Sequence, residues 1–351
     1  MSTYRPAGVA ATIVAACLLL AGCVSAPAVT PRTSGADGIQ QSDAVLNQLL
    51  TSSEPGCSAA VARDGHVVWA GALGLANTAS HTSLTTGSRF DFASVSKQFT
   101  ATAILLLAEE GALSLSDSVR HWLPALPAWA ERITVADLLH HTTGISDYAP
   151  TLTGQGHTLT DPTTQADALA VIAATTPAEP GRFDYSNSNY VLLAEIASTV
   201  TNMPFGEFLA GQVFGAAPLA LEPASPDTVT GYSDGKPVTS AWKQIGDGGI
   251  VGTPSELAQW ADYYRQGLPG HPSLPAAAVA DAVDTGDPAG SRYGAGILVG
   301  SDGSLSHIGS WAGEVTLFGV APDRQTSIVV SCNSTSAPAN TLAQALRTIW
   351  Q

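Results

Sequence analysis

Charged side chains are scarce in this sequence of 351 residues, because Asp, Glu, Lys and Arg make up 12% of it, against roughly a quarter in average soluble proteins. Lys and Arg number 14 and Asp and Glu number 29, so the formal net charge is −15. An acidic chain without a basic patch is repelled by phosphate backbones. We therefore expect no nucleic-acid partner.

Motifs for metals and nucleotides are also missing. The sequence contains no HExxH, no CxxC and no Walker-type phosphate loop, and it shows no internal repeat of solenoid length. We therefore predict no metal and no cofactor. The hydrophobic fraction is 45%, which is enough to build a large core.

Long hydrophobic runs are limited to one segment near the N-terminus. Residues 9–20 are mostly apolar and follow Arg5. Because the run is shorter than the ~20 residues of a membrane-spanning helix, it predicts a secretory signal. The next residues, Leu20-Ala21-Gly22-Cys23, resemble the bacterial lipoprotein cleavage box, in which Cys23 is acylated. An ordinary secretory peptide cut nearby is the alternative.

These features predict a signal peptide at 1–22, a flexible Ser/Pro/Gly-rich tether at 23–40 and one folded domain at 41–351. The domain would be exported to the bacterial cell envelope and held on the membrane, outside the cytoplasm, by the lipid on Cys23.

Cysteine is rare, with four residues. Cys17 would leave with the signal peptide and Cys23 would carry the lipid, so Cys57 and Cys332 remain in an oxidising compartment. Both lie in strand-like segments at opposite ends of the domain. A disulfide between them and a pair of free buried thiols are both open.

Hydrophobic periodicity predicts an α+β fold. A helix at 41–53 and a hairpin turning at Asp64-Gly65 begin the domain, and strands followed by a helix at 337–350 end it. Between these ends the pattern predicts helices at 94–111, 134–140, 188–200, 204–213 and 254–266. We expect one antiparallel sheet built from both chain ends (about 41–93 and 290–351) and flanked by the terminal helices, with an inserted, mainly helical region (about 94–289).

Each of the three lysines follows a serine by three residues, in the pairs Ser94/Lys97, Ser233/Lys236 and Ser240/Lys243. Two such side chains converge only on a helix. Apolar residues at helical spacing follow Ser94 up to Gly111, whereas Gly235 and Pro237 break the other two segments. At the first turn of its helix, Ser94 lies near free backbone N–H groups that can stabilise negative charge, and Lys97 can activate its hydroxyl.

A second serine motif is rejected. Residues 231–235 (GYSDG) fit G-x-S-x-G, the nucleophile elbow of α/β-hydrolases, but the strand before it and the helix after it are missing.

Five motifs occur in order along the chain. They are Phe92-Ala93-Ser94-Val95-Ser96-Lys97, Leu138-Leu139-His140-His141-Thr142-Thr143-Gly144-Ile145, Tyr185-Ser186-Asn187, Gly248-Gly249-Ile250-Val251-Gly252-Thr253 and His307-Ile308-Gly309. Together they resemble the serine β-lactamase and D,D-peptidase superfamily, on its class C side, over residues 41–351. The fold of that superfamily agrees with the fold predicted above.

The resemblance implies a role for each matching residue. Ser94 would attack a carbonyl and form an acyl-enzyme, and Lys97 and Tyr185 would move the proton. Asn187 would orient Lys97 and hold the substrate's amide; taken alone, Tyr185 and Asn187 could also be turn residues before a helix. The substrate-binding set would be completed by His307, Gly309 and Ser310, with the backbone N–H groups of Ser94 and Ser310 as the oxyanion hole.

One residue departs from the pattern. Many class C β-lactamases have Lys where this chain has His307, and a histidine is mostly neutral at pH 7, so efficient β-lactam hydrolysis is not expected. We interpret His140 and His141 as structural residues at a helix end. Trp242 and Trp311 could line the cleft or belong to the core.

The predicted function is therefore a D,D-carboxypeptidase-like or related amide hydrolase, acting as a monomer on a small molecule or a peptidoglycan-like peptide. An esterase of the same fold and a non-hydrolysing penicillin-binding or sensor lipoprotein are the alternatives.

Overall fold

The computed structural model describes residues 35–215 and 219–351. Cys23, the signal peptide and residues 23–34 of the predicted tether lie outside the described residues.

The strands are β1 (Cys57–Arg63), β2 (His66–Leu73), β3 (Leu75–Asn77), β4 (Thr82–Ser83), β5 (Phe90–Asp91), β6 (Ala220–Leu221), β7 (Gly231–Ser233), β8 (Lys236–Val238), β9 (Ile250–Gly252), β10 (Val283–Asp284), β11 (Arg292–Tyr293), β12 (Leu298–Val299), β13 (Leu305–Trp311), β14 (Glu314–Val320) and β15 (Thr326–Cys332).

The helices are α1 (Gly35–Leu49), α2 (Lys97–Glu109), α3 (Val119–Trp122), α4 (Val135–Leu139), α5 (Tyr148–Gly154), α6 (Gln165–Ala174), α7 (Asn187–Thr201), α8 (Phe205–Phe208), α9 (Pro254–Trp260), α10 (Tyr263–Gln266), α11 (Leu274–Val279) and α12 (Ala339–Trp350). Short 3₁₀ turns lie at Ala93–Ser96 and Ala128–Glu131, and a π-helical turn lies at Leu209–Phe214. In the described part of the chain, no helix is long and apolar enough to cross a membrane.

One antiparallel sheet of eight strands is built from both ends of the domain. Its order is β10-β11-β12-β13-β14-β15-β1-β2, so the N-terminal hairpin is hydrogen-bonded to the last strand. The hairpin turns at Asp64 and Gly65, both with positive φ, as a two-residue type I′ turn requires. This confirms the predicted α+β fold with a sheet assembled from the two chain ends.

Strand β1 is buried on both of its faces. Ala59 and Val61 pack with α12 and the end of α1 in one apolar cluster, whereas Ala60 and Ala62 belong to the larger cluster of the inserted region. Successive side chains of a strand point to opposite faces, so the sheet separates the terminal helices from the inserted helices. The inserted region also contains short strands, including the three-stranded sheet β5-β9-β6.

Helix α1 begins at Gly35, before the predicted domain boundary at residue 41. The placement of residues 35–40 in the tether was therefore wrong. Gly38, Ser42 and Leu46 recur every four residues and form one buried stripe, and the Trp350 indole N–H donates to Ser42 Oγ at 2.8 Å. The composition of this segment resembles a linker, but the packing of α12 against it stabilises a helix.

Cys57 and Cys332 lie directly opposite each other in the ladder between β1 and β15. They form a disulfide that joins positions 275 residues apart. Of the two open alternatives, the structure has the bridged one. It lies in the apolar cluster under the terminal helices.

Strand β13 passes very close to the turn that carries Ser94. A Cβ atom on Gly309 would lie 2.0 Å from the backbone oxygen of Phe92, a distance that no side chain can occupy. Gly309 was predicted to bind substrate, but the contact observed is a packing contact that brings β13 against the Ser94 turn.

Two carboxyl groups, the buried Glu314 and the partly buried Asp91, hold the backbone just before Ser94. Ala93 has a φ of +48°, which is uncommon for a residue with a side chain, and its N–H donates to Asp91 Oδ1 at 2.8 Å. The Asp91 N–H donates to Glu314 Oε2 at 2.9 Å. Burial raises the pKa of Asp91 to about 6. Burial, and then the charge of Asp91, raise the pKa of Glu314 well above its usual value.

We predict that the disulfide contributes substantially to stability. Replacing both cysteines, Cys57→Ser with Cys332→Ser, releases a loop of 275 positions, and such a loss costs about 2–5 kcal/mol of unfolding free energy. Urea denaturation of the double variant and of the wild type checks this. The reduced wild-type chain is the control and should match the variant; an unchanged midpoint in the variant would contradict the prediction.

We also predict that Glu314 makes stability depend on pH. Because its pKa is raised on folding, the folded state retains a proton that the unfolded state loses, so this contribution to stability is lost as pH rises above about 4.5. Glu314→Gln keeps an acceptor for the Asp91 N–H and cannot ionise. Its unfolding free energy should therefore rise relative to wild type between about pH 5 and pH 8.

The measurement for Glu314 is urea denaturation of both proteins at several pH values across that range. Glu179→Gln, which removes an exposed carboxylate, controls for the change in net charge. A constant difference between Glu314→Gln and wild type at every pH would contradict the expected trend.

Candidate active site

Ser94 and Lys97 lie at the start of the central buried helix. Ser94 is in the 3₁₀ turn Ala93–Ser96, and Lys97 is the first residue of α2. Lys97 Nζ donates to Ser94 Oγ at 3.1 Å, as the spacing of three residues predicts. By contrast, Ser233 and Lys236 lie on the short strands β7 and β8 and not on one helix. A strand, not a helix, also follows residues 231–235, so the rejection of GYSDG as a nucleophile elbow agrees with the structure.

The ammonium group of Lys97 is completely buried. Besides Ser94, its Nζ donates to Asn187 Oδ1 at 2.7 Å and to the backbone oxygen of Asp247 at 2.8 Å. An ammonium group has three donors and no acceptor, so all of its hydrogen-bonding capacity is used. A buried charge is tolerated only when it is satisfied in this way.

Tyr185 lies beside the ammonium group, at the end of the loop before α7. Its ring centroid is 5.1 Å from Lys97 Nζ, and that of Tyr190 is 5.6 Å away on the next turn. A cation at this distance from an aromatic face is attracted to it. The structure thus brings the hydroxyl of Ser94, the ammonium of Lys97 and the ring of Tyr185 into one site.

Asn187 is the first residue of α7, and its side chain is held at both ends. Its Oδ1 accepts from Lys97, and its Nδ2 donates to Asp147 Oδ2 at 2.7 Å. The predicted role in orienting Lys97 therefore has a direct contact. Contact with a substrate amide stays a prediction. Asp147 was not identified from the sequence, because it lies in a loop 40 residues from Asn187.

His141 contributes more to the site than the sequence indicated. Its ring centroid lies 4.3 Å from that of Tyr185, and its Nδ1 accepts from the Ser186 N–H and from Asn189 Nδ2. Burial, and then the charge of Lys97, lower the pKa of His141 well below its usual value. A neutral ring with Nδ1 as acceptor carries its proton on Nε2.

The neighbouring His140 does cap its helix, because its Nδ1 contacts the Ala136 oxygen at 2.9 Å. The interpretation as a helix-end residue thus fits His140. His141 instead supports the ring of Tyr185, and an adjacent pair of histidines in the sequence carries no signal that separates the two.

His307 is neutral and has no free ring nitrogen. Its Nδ1 contacts the Ile308 backbone oxygen at 2.9 Å and must carry the proton there, so Nε2 accepts from the Tyr293 hydroxyl at 3.1 Å. Burial, and then the charge of Lys97, lower the pKa of His307 to about 3. The residue is 4% exposed. The expected neutral state agrees with this, but the expected role as a substrate ligand does not, since both nitrogens are engaged inside the protein.

Ser310 is exposed on β13, next to Gly309. Strand β12 pairs with Leu305 and Ser306 only, so this end of β13 lies beyond the reach of β12 and beside the Ser94 turn. The oxyanion hole formed by the Ser94 and Ser310 N–H groups stays a prediction. Within residues 35–215 and 219–351, no group of three or more His, Cys, Asp or Glu side chains could hold a metal ion.

The two tryptophans near the site have different surroundings. Their ring centroids are 5.4 Å apart, but Trp242 is 4% exposed and donates to the Thr158 oxygen, so it belongs to the core. Trp311 lines a cavity of about 250 Å³ together with Asp91 and Glu314. Of the two tryptophans, Trp311 therefore borders this cavity and Trp242 does not.

Two relatives among curated proteins match part of this chain over part of their own length. Penicillin-binding protein 4* of Bacillus subtilis (strain 168) is 33% identical over 156 residues, which are 44% of this chain and 34% of that protein. The D-aminopeptidase of Brucella anthropi is 30% identical over 222 residues, 60% of this chain and 42% of that protein. The chain thus spans less than half the length of these relatives.

Solved structures with the same fold cover most of the chain. The octameric penicillin-binding protein homologue from Pyrococcus abyssi has a TM-score of 0.77 and 23% identity, covering 88% of this chain and 76% of that one. The D-amino acid amidase from Ochrobactrum anthropi SV3, solved with L-phenylalanine amide, has a TM-score of 0.73 and 20% identity, covering 89% and 98%. At these identities the likeness shows the fold alone.

A protein-family model described as Beta-lactamase matches residues 42–348. The matched range starts within α1 and ends within α12, so it includes every strand described above as well as Ser94, Lys97 and Tyr185. Because this range is most of the chain, the protein belongs to the β-lactamase family.

Proposed function

We propose that this protein is a serine hydrolase in which Ser94 forms an acyl-enzyme with an amide substrate. The observation that carries the proposal is the hydrogen bond from the buried ammonium of Lys97 to Ser94 Oγ. A buried cation placed against a serine hydroxyl favours negative charge on that oxygen as it attacks. The nearby Tyr185 brings a phenol hydroxyl to the same site.

The hydrogen bonds of Lys97 indicate how the proton moves. When Ser94 Oγ bonds to the carbonyl carbon, its proton must leave, and Lys97 cannot accept it while all three of its N–H groups are present and donating. The Tyr185 hydroxyl therefore relays the proton: its oxygen takes the Ser94 proton while its own proton goes to the leaving nitrogen and the C–N bond breaks. Water then releases the acyl group by the same route in reverse.

The surroundings of His307 favour a particular substrate class. A carboxypeptidase substrate ends in a carboxylate, and His307 is neutral with both nitrogens occupied, so it offers no positive charge to that end. We therefore favour amides without a carboxylate next to the scissile bond, such as D-amino-acid amides, over D,D-carboxypeptidase substrates. Relatives named D-aminopeptidase and D-amino acid amidase support this class.

A second candidate is an esterase of the same fold. The neutral His307 permits an ester as readily as an amide, since neither requires a counter-charge at that position. A neighbour in the structural comparison, EstCE1, is described as a hydrolase with promiscuous acyltransferase activity.

The proposed location is the bacterial cell envelope, with the protein exported and held by a lipid on Cys23. The hydrophobic run and cleavage box at residues 9–23 support this. The disulfide between Cys57 and Cys332 is consistent with an oxidising compartment.

We predict that a fluorescent penicillin in excess labels Ser94 slowly, because its carboxylate meets no positive charge at His307. In the chain starting after Cys23, intact and peptide mass spectrometry should find one adduct on Ser94 and none in Ser94→Ala. Ser233→Ala is the matched control, because Ser233 also stands three residues before a lysine, and it should label like wild type. Equal labelling of Ser94→Ala would contradict the assignment. No label combined with no hydrolysis of p-nitrophenyl acetate would overturn the hydrolase proposal.

We further predict selectivity against substrates with a terminal carboxylate. The value of kcat/KM for D-alanine p-nitroanilide should exceed that for N-acetyl-D-Ala-D-Ala by about tenfold or more, since an unpaired buried charge costs at least ~1.4 kcal/mol. Release of nitroaniline and of D-alanine measures the two rates, with Ser94→Ala as the blank. Preference for N-acetyl-D-Ala-D-Ala would favour the carboxypeptidase, and reaction with p-nitrophenyl esters alone would favour the esterase.

A further inference from the structure

Two residues at the start of α5 contact groups that bind Lys97. Asp147 Oδ2 accepts from the Asn187 backbone N–H at 3.1 Å and from its Nδ2 at 2.7 Å. The next residue, Tyr148, is 3% exposed, and its hydroxyl donates to Asp247 Oδ2 at 3.0 Å. Asn187 Oδ1 and the Asp247 backbone oxygen are the two acceptors that Lys97 has besides Ser94.

Asp147 determines which end of the Asn187 amide faces Lys97. An asparagine side chain has a donating and an accepting end of nearly the same shape. A carboxylate can only accept, so Asp147 takes Nδ2 and leaves Oδ1 for the ammonium. With the amide turned over, two donors would face each other at Lys97, and the ammonium would lose one of its three acceptors.

Tyr148 holds the other acceptor. Its hydroxyl binds the carboxyl group of Asp247, and its backbone N–H donates to Ser188 Oγ at 3.0 Å. The Ser188 hydroxyl in turn donates to the Ser146 oxygen at 2.7 Å. These contacts connect the start of α5 to the start of α7, so the loop at 146–148 spans both acceptors of Lys97.

Helix capping alone does not account for Asp147. Its Oδ1 accepts from the Ala149 N–H at 2.9 Å and caps α5, while its Oδ2 serves Asn187. Asn caps a helix as well as Asp does, so Asp147→Asn preserves the cap and removes the acceptor-only group that faces Asn187.

Building on the proposed function, we propose that Asp147 and Tyr148 are positioning residues of the Ser94 reaction. They fix Asn187 and Asp247 and thereby hold the ammonium of Lys97 against Ser94 Oγ. Neither residue needs to touch the substrate.

The test measures acylation of Ser94 by p-nitrophenyl acetate in the presteady-state burst. Asp147→Asn should lower the acylation rate constant by roughly 10- to 100-fold, the range expected when a buried polar group loses its partner. The half-saturating ester concentration should stay within about twofold. Tyr148→Phe keeps the ring and the backbone contact and should be slower by about tenfold.

A double-mutant cycle shows whether Asp147 acts through Asn187. In an Asn187→Ala background, Asp147→Asn should change the acylation rate less than about twofold, because the group it orients is gone. Asp167→Asn is the matched control. Asp167 is exposed and forms a capping box with Thr164 at the start of α6, so Asp167→Asn should leave the acylation rate at the wild-type value.

Three outcomes would overturn the inference. Equal rates for wild type, Asp147→Asn and Tyr148→Phe would show that the contacts do not matter for the reaction. If Asp147→Asn lowered the acylation rate constant equally with and without the Asn187 side chain, Asp147 would not act through Asn187. A wild-type protein that gives neither a burst nor a penicillin adduct on Ser94 would instead refute the proposed function, and this inference with it.

Discussion

The burial of one ammonium group is the constraint on which this structure depends. Lys97 has no exposed surface, and its three hydrogen bonds go to segments that are far apart in the sequence. A buried charge that lost one of these acceptors would be strongly destabilising. The Ser94 turn, the start of α7 and the loop before β9 must therefore all converge on the same point.

That convergence also constrains the backbone around α2. Gly296 has a φ of +71°, and a Cβ atom there would lie 2.7 Å from the Lys97 backbone oxygen. Only glycine satisfies both conditions. The chain before β12 can therefore press against the first turn of α2 and close the interior side of the site.

Apart from the carboxyl groups of Asp147 and Asp247, the side chains around Lys97 are neutral and mostly aromatic. The pKa values of His141 and His307 are both lowered by burial and then by the charge of Lys97, so the two imidazoles do not add to that charge. Rings of Tyr185, Tyr190 and Tyr293 surround His141. The positive charge of Lys97 therefore acts among mostly neutral rings, where a low local dielectric strengthens its effect on the reacting oxygen.

Local and ordered patterns made much of this protein predictable from its sequence. Ser94 and Lys97 follow from helical spacing, and the strands at both ends follow from alternation between turn residues. The motif that contains Tyr185 and Asn187 was found through its order relative to the others. These signals are contained in short segments, so no three-dimensional information was needed to see them.

The features that were missed depend on contacts between distant segments. Asp147 meets Asn187 across 40 residues, and Glu314 meets Asp91 across 223. In the sequence each of these is an acidic residue in or next to a turn, which is where solvated carboxylates usually occur. The helical start of α1 was missed for the same reason, because α12 at the other end of the chain stabilises it.

The pairing of β1 with β15 has a consequence for how the chain reaches this state. Strand β1 is synthesised early, but it can pair with β15 only late, because Cys332 follows Cys57 by 275 positions. Such a high contact order makes folding slow compared with that of helical bundles. During translation, β1 remains an open apolar edge until residues 326–332 have emerged. The disulfide can therefore form only after the last strand has been synthesised, and it then links β1 covalently to β15.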